Sequence, residues 1–166
     1  GPGNALIDQW VQRVGGIPYD ADGAVAREGA IVAPVVQQYL ESPFFARSAP
    51  KSLDRNDFTL DHVAGLELAD GARTLAAVSA EAILRAAAHM PEPPKLWIVC
   101  GGGRKNPHIV GDLRAGAGEA QVEGTIPAAS TGLAEWNFVV GRGSDLFERL
   151  RAMPVKLGDV AHIFVG

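Results

Sequence analysis

Leu96-Trp-Ile-Val-Cys-Gly-Gly-Gly-Arg-Lys-Asn-Pro107 is the stretch on which the reading of the fold turns. A short apolar run ends in three glycines, then a basic pair, then Asn106-Pro107. The apolar run predicts a buried strand. Gly101, Gly102 and Gly103 let the backbone turn sharply and let a ligand come close, because no Cβ stands in the way. Asn106 is a good helix N-cap, and Pro107 suits the first helical position. Strand, glycine turn and capped helix together make a site for a flat or anionic ligand at the carboxyl edge of a sheet. A turn between strand and helix with no ligand is the plainer reading of the same residues.

Two standard phosphate motifs fit poorly. No Gly-Lys-Ser/Thr follows the glycines, so this is not a Walker A loop. Gly101 and Gly103 match the first two glycines of a dinucleotide fingerprint, but the third falls on Asn106. Glu123 does lie about twenty residues past Gly103, where a ribose-binding acid belongs. A dinucleotide-dependent oxidoreductase domain is therefore carried as an alternative.

The chain has 166 residues, enough for one domain with a sizeable core. Hydrophobic content of 47% and charged content of 20% are those of a globular protein. A net charge of −4 gives no reason to expect a nucleic-acid partner. The single cysteine, Cys100, excludes an internal disulfide and fits a reducing compartment. No apolar run approaches the roughly 18 residues of a membrane span, so no membrane partner is expected. No basic-then-apolar leader is present, and the first residue is Gly1. The chain is thus expected to start inside a longer protein or after cleavage.

The second informative stretch is Gly1-Pro-Gly-Asn-Ala-Leu-Ile-Asp-Gln-Trp-Val11. Asn4 is placed to cap a helix carrying Leu6, Trp10 and Val11 on one face. Glycine-rich backbone running into a helix N-terminus presents free N–H groups suited to phosphate. Asp8 has two readings: a carboxylate complementing the helix dipole, or a contact to a metal ion or its waters. Gly15-Gly16 ends this helix. Tyr19-Asp-Ala-Asp-Gly23 starts like a calcium loop, but its ligands stop at once, so it reads as a turn.

A helical turn is expected over residues 24–28 and a helix over 31–40, with Pro43-Phe-Phe45 as a loop. The polar stretch 48–58 offers Lys51, Ser52 and Arg55 to an anion, or is a solvated linker. A short helix is expected over 58–66, and the longest helix over 70–90. In that helix Leu75, Val78, Ala82, Ile83, Ala86 and Met90 recur at three and four. His89 sits near its end, where a cation suits the dipole. A further helix is expected over 107–114, with His108 either exposed or at the ligand mouth. Strands over 120–123, 136–140 and 160–165 and a helix over 144–153 complete the reading. The four histidines have no metal-ligand spacing, and no catalytic triad or paired acid and base stands out.

Several stretches occur together in one order: Gly1 to Asp8, Tyr19-Asp20 with Gly23, Pro50-Lys-Ser52 with Arg55, Ala72-Arg-Thr-Leu75 with Ser79-Ala-Glu81, and Cys100 to Pro107. This chain resembles the carboxyl-terminal half of anhydro-N-acetylmuramic acid kinases, over roughly residues 1–113. The resemblance implies an α/β fold: the ribonuclease-H-like lobe of an actin- and hexokinase-type ATPase, a mixed sheet with packed helices. It implies ATP and Mg2+ as cofactors, an amino sugar as substrate, a homodimer and a cytoplasmic location. The reaction it implies opens 1,6-anhydro-N-acetylmuramic acid with water and ATP to give N-acetylmuramic acid 6-phosphate in peptidoglycan recycling. Gly1, Pro2, Gly3 and Asn4 would then contact phosphate. Gly101, Gly102, Gly103 and Asn106 would lie on the adenosine side.

The resemblance also sets expectations about what is missing. The first lobe, with its own phosphate loop and water-activating aspartate, and the aspartate before Gly1 lie outside this chain. No catalytic base is therefore expected here. The nucleotide lobe is expected over residues 1–123, and residues 124–166 depart from the family pattern. The chain by itself is expected to be an inactive lobe with an unprotected sheet edge, or a non-catalytic nucleotide-binding fragment.

Overall fold

The computed structural model describes residues 2–48, 51–52, 57–94 and 96–118. They belong to one unit spanning residues 1–119. Six α-helices follow in order: α1 (Ala5–Gly15), α2 (Ala24–Arg27), α3 (Ala33–Leu40), α4 (Pro43–Ala46), α5 (Leu68–Leu84) and α6 (Pro107–Ala117). Among the described residues, 3-10 turns follow at Ala21–Gly23, Asp61–Val63, Arg85–His89 and Gly102–Lys105.

No strand occurs among the described residues. The expected α/β, ribonuclease-H-like lobe with a mixed sheet is therefore corrected to a helical unit. The expectation of an unprotected sheet edge falls with it. The stretch that prompted it, residues 96–100, is irregular, with Leu96 38%, Ile98 46% and Val99 39% exposed. A strand exists only through the ladder it shares with a neighbour. An apolar, β-branched run has the propensity for one but does not supply that neighbour. The elements expected over 120–123, 136–140, 144–153 and 160–165, and the boundary at 124, lie outside the described residues.

Helix α5 is the centre. Gly71, Ala72 and the whole run from Thr74 to Ala80 are buried, so this segment has no solvent face. Such a helix must be surrounded. Leu6, Ile7, Trp10 and Val11 of α1, Val36, Tyr39 and Leu40 of α3, and Ile109 and Leu113 of α6 join it in one core. Alanines at 72, 76, 77 and 80 keep its surface low enough for close approach. The polar residues of α5 then serve its neighbours. Thr74 Oγ1 accepts from the Val32 N–H at 3.0 Å, and Asp70 Oδ1 from the Ala30 N–H at 2.8 Å. Arg73 forks onto Asp112 of α6 with two bonds of 2.7 Å. That bidentate pair fixes the two helices in register.

Several helix ends differ from expectation for local reasons. Pro34 in the first turn starts α3 at Ala33, later than residue 31. The Pro43–Ala46 stretch, expected as a loop, is a short helix capped by Ser42. The expected helix over 58–66 is only a 3-10 turn. Helix α5 begins at Leu68 and turns to 3-10 at Arg85, short of residue 90. Gly16, at φ 68°, ends α1 as expected. The Gly16 N–H reaches Gln12 O, the bond of an αL cap, and the Ile17 N–H reaches Val11 O.

Trp10 crosses α5 at Gly71, and its Nε1 donates to Leu68 O at 2.8 Å. A Cβ on Gly71 would overlap the indole ring. Alanine in a helix interior ordinarily gains about 0.5–1 kcal/mol over glycine. Overpacking a closed core costs about 1–3 kcal/mol. The second effect wins here because the obstacle is a rigid ring pinned by its own hydrogen bond. Gly71→Ala is expected to lower the urea midpoint, and a raised midpoint would show that the indole moves freely.

Candidate functional site

The amino-terminal loop enters α1 through Pro2, Gly3 and Asn4. Gly3 sits at φ 57°, in the left-handed region, with nothing near the place a Cβ would take. Pro2 O accepts from the Ala5 N–H at 3.2 Å, and Asn4 O from the Asp8 N–H at 2.9 Å. Asn4 stands at the N-cap position as expected. It is already helical, at φ −78° and ψ −12°, and its side chain does not cap the helix. The first turn of α1 is therefore not closed by its own cap residue. Gly1 lies outside the described residues.

The glycine turn is built differently. Gly101, at φ 72°, reverses the chain, and the 3-10 turn Gly102–Lys105 follows. Arg104 Nη1 folds back onto Gly101 O at 2.8 Å. The Asn106 N–H reaches Gly103 O at 3.0 Å. Asn106 is buried and caps α6 as expected: its Oδ1 accepts from the N–H groups of His108, at 3.0 Å, and Ile109, at 3.3 Å. The N-terminus of α6 is thus occupied by a side chain, whereas that of α1 is not.

These two stretches meet. Asn106 Nδ2 donates to Asn4 Oδ1 at 3.5 Å, a long bond across 102 positions of sequence. A Cβ on Gly102 would lie 3.8 Å from Asn4 Nδ2. The residues picked from sequence as phosphate-side and adenosine-side therefore share one corner of the molecule. Ser79, not singled out as a site residue from sequence, lies beneath it. Its fully buried Oγ donates to Gly3 O at 2.8 Å.

Other candidates have settled places. Asp20 is 8% exposed, and its carboxylate accepts from the Val25 and Ala26 N–H groups at 2.7 and 3.1 Å. The 19–23 turn is therefore the cap of α2, with Asp22 at φ 51° and Gly23 at φ 66°. His108 is half-buried, with Nε2 2.9 Å from Gly23 O. It ties α6 to this turn. Lys51 Nζ contacts Phe44 O, Phe45 O and His89 Nε2 at 3.1, 3.0 and 2.8 Å. Arg85 Nη1 donates to Leu40 O at 3.1 Å. Both cations satisfy carbonyls at helix carboxyl ends, so Lys51 is an α4 cap rather than an anion ligand. A groove of about 430 Å3 between α4 and Arg85–His89 is lined by Leu40, Phe45, Arg85 and His89 among others and includes none of the glycine loops.

No group of three or more His, Cys, Asp or Glu suited to a metal occurs among the described residues. Asp8 lies close to Asp20. Burial raises the Asp8 carboxyl above its ordinary 3.8, the Asp20 backbone N–H pulls it back, and the Asp20 charge adds to the rise. Between pH 3.8 and that raised value the folded chain binds more protons than the unfolded one. Stability from this group is therefore present at low pH and lost as pH rises through the raised value. Asp8→Asn is expected to melt higher than the parent at pH 7, with the gap closing as pH falls toward 3.8. Thermal melts at a series of pH values check this, and a gap that widens on acidification would contradict it.

The anhydro-N-acetylmuramic acid kinase family model matches residues 1–135, reaching past Leu113 and ending within the tail. An anhydro-N-acetylmuramic acid kinase of Rhodospirillum rubrum is 51% identical over 120 residues, 72% of this chain and 32% of that protein. One of Agrobacterium fabrum is 46% identical over 132 residues, 80% of this chain and 35% of that protein. One of Rhizobium johnstonii is 46% identical over 113 residues, 68% of this chain and 30% of that protein. The chain thus spans about a third of the length of these relatives. With the family match covering most of its residues, the chain belongs to the anhydro-N-acetylmuramic acid kinase family.

Proposed function

We propose that this chain is the nucleotide-binding wall of a cytoplasmic, homodimeric sugar kinase. The kinase phosphorylates 1,6-anhydro-N-acetylmuramic acid with ATP and opens its ring with water, giving N-acetylmuramic acid 6-phosphate for peptidoglycan recycling. One observation carries the reading: two glycine loops, remote in sequence, meet at Asn4 and Asn106. In this reading the two loops divide the labour. Pro2, Gly3 and Asn4 lead into a helix end that no cap side chain closes, which suits phosphate. Gly101, Gly102 and Gly103 front a helix end already closed by Asn106, which suits a flat base. Gly1 is carried with the phosphate group.

Phosphoryl transfer depends almost wholly on positioning and charge stabilisation. In this reading the chain holds and orients the nucleotide and contributes no catalytic base. Mg2+ in such sites is held by one or two carboxylates together with the phosphates. In this reading Mg2+ arrives with ATP, and Asp8 is the residue suited to contact its waters. The dinucleotide alternative is weaker. In that fold the pyrophosphate sits on an open helix N-terminus. Here the Asn106 side chain occupies the first N–H groups of α6.

Titration of the 166-residue chain with ATP and with NAD separates the readings. Weak, saturable ATP binding and no NAD binding are expected; the reverse would establish the oxidoreductase alternative. Gly102 is not in the left-handed region, and a Cβ there meets only ordinary contact. Gly102→Val is therefore expected to fold normally and to lose ATP affinity by about tenfold or more, roughly 1.4 kcal/mol. Asn106→Ala is expected to lose affinity and also about 1 kcal/mol of stability with the cap. These residues alone, a third of the relatives' length, are expected to show no turnover of the anhydro sugar. Turnover abolished by Gly102→Val would overturn that expectation.

A further inference from the structure

We propose that Ser79 is a positioning residue that aims the Asn4 N–H at the phosphates of the nucleotide; this rests on the nucleotide reading above. Ser79 lies in the middle of α5, fully buried, between Val78 and Ala80. In this run alanine would fill nearly the same space and favour the helix more. Burying a hydroxyl also costs stability unless it finds a partner. The Ser79 hydroxyl has one proton, shared between Gly3 O at 2.8 Å and Leu75 O at 3.1 Å. The Leu75 bond is the usual back-bond of a helical serine. The Gly3 bond is the shorter, and it reaches across 76 positions.

The consequence follows from peptide planarity. Gly3 C=O and Asn4 N–H belong to one rigid plane and point in opposite directions. Holding the carbonyl down on α5 turns the Asn4 N–H away from α5. Gly3 at φ 57° is where the chain is freest to rotate that plane. The Pro2 O–Ala5 N–H bond closes the turn around this plane, and Asn106 holds the Asn4 side chain. Ser79 adds a grip on the plane's own carbonyl from below. Its effect should fall on phosphate contacts and spare the adenosine side.

The test uses the full chain and three probes: Mg-ATP, inorganic tripolyphosphate and adenosine. Ser79→Ala is expected to weaken ATP and tripolyphosphate about fivefold to tenfold, the effect of one lost hydrogen bond. Adenosine affinity should stay unchanged. Ser79→Cys keeps the size with a much weaker donor, and it serves if the alanine variant folds poorly. It should show the same selectivity. Equal weakening of all three probes would make Ser79 a purely structural residue and overturn the proposal. So would unchanged ATP affinity in Ser79→Ala and Ser79→Cys. If the parent chain binds tripolyphosphate but not adenosine, the nucleotide reading fails while the Ser79 comparison still decides the positioning role. If it binds adenosine but not tripolyphosphate, the positioning role is overturned and the adenosine side stands.

Discussion

Burial of the Thr74–Ala80 run of α5 on all sides is the constraint from which the rest follows. No residue between Thr74 and Ala80 reaches solvent, so every polar atom there needs a partner inside the protein. Each finds one on a different element. Thr74 serves the segment before α3, and Ser79 serves the loop before α1. Just outside that run, Asp70 serves Ala30 and Arg73 serves α6. Among the described residues no buried side-chain polar atom lacks a partner. The hydrophobic effect draws the helices together without choosing an angle between them. These hydrogen bonds fix the register between them, and Ser79 ties the loop before α1 to α5.

Helix ends carry the remaining specificity. Asp20 closes α2, Ser42 closes α4 and Asn106 closes α6, each through its own oxygen. Lys51 and Arg85 take the opposite ends of α4 and α3. The starts of α1, α3 and α5 have no such side-chain cap. Asn4 is a residue that could cap, yet its side chain turns to Asn106. Capping by asparagine is worth about 1 kcal/mol. At α1 that contribution is given up for the bond to Asn106.

Features that depend on neighbours in sequence were legible. Gly16 as a helix stop, Asn106 with Pro107 as a helix start and the 19–23 turn follow from local backbone chemistry. So does the 3.6-residue repeat of Leu75, Val78 and Ala82. Features that depend on distant partners were not. Residues 96–100 have strand propensity, but a ladder needs a second segment, and none pairs with them among the described residues. Asn4 was readable as a helix start and not as a bridge to a residue 102 positions on. Ser79 sits in an alanine-rich run where its hydroxyl looks incidental. The loop carbonyl that gives it a purpose lies 76 positions away. His108 likewise gains its place only from Gly23, where a Cβ would come 2.6 Å from its ring.

The hydrogen-bond inventory of the two asparagines limits how their corner can be used. A neutral amide has one acceptor oxygen and two donor protons on nitrogen. Asn106 spends its oxygen on two N–H groups of α6, so its nitrogen must face Asn4. Asn4 must then present its oxygen to Asn106, which leaves its own nitrogen on the side of Gly102. The orientation of both amides is thereby set by the α6 cap, through one long bond. A ligand entering between the loops meets donors: the Asn4 amide nitrogen and, beside it, the backbone N–H groups at the start of α1. Such a corner favours phosphate oxygens or the ring nitrogens of a base over a cation. The polarity of the site is thus inherited from a helix cap on the far side of it.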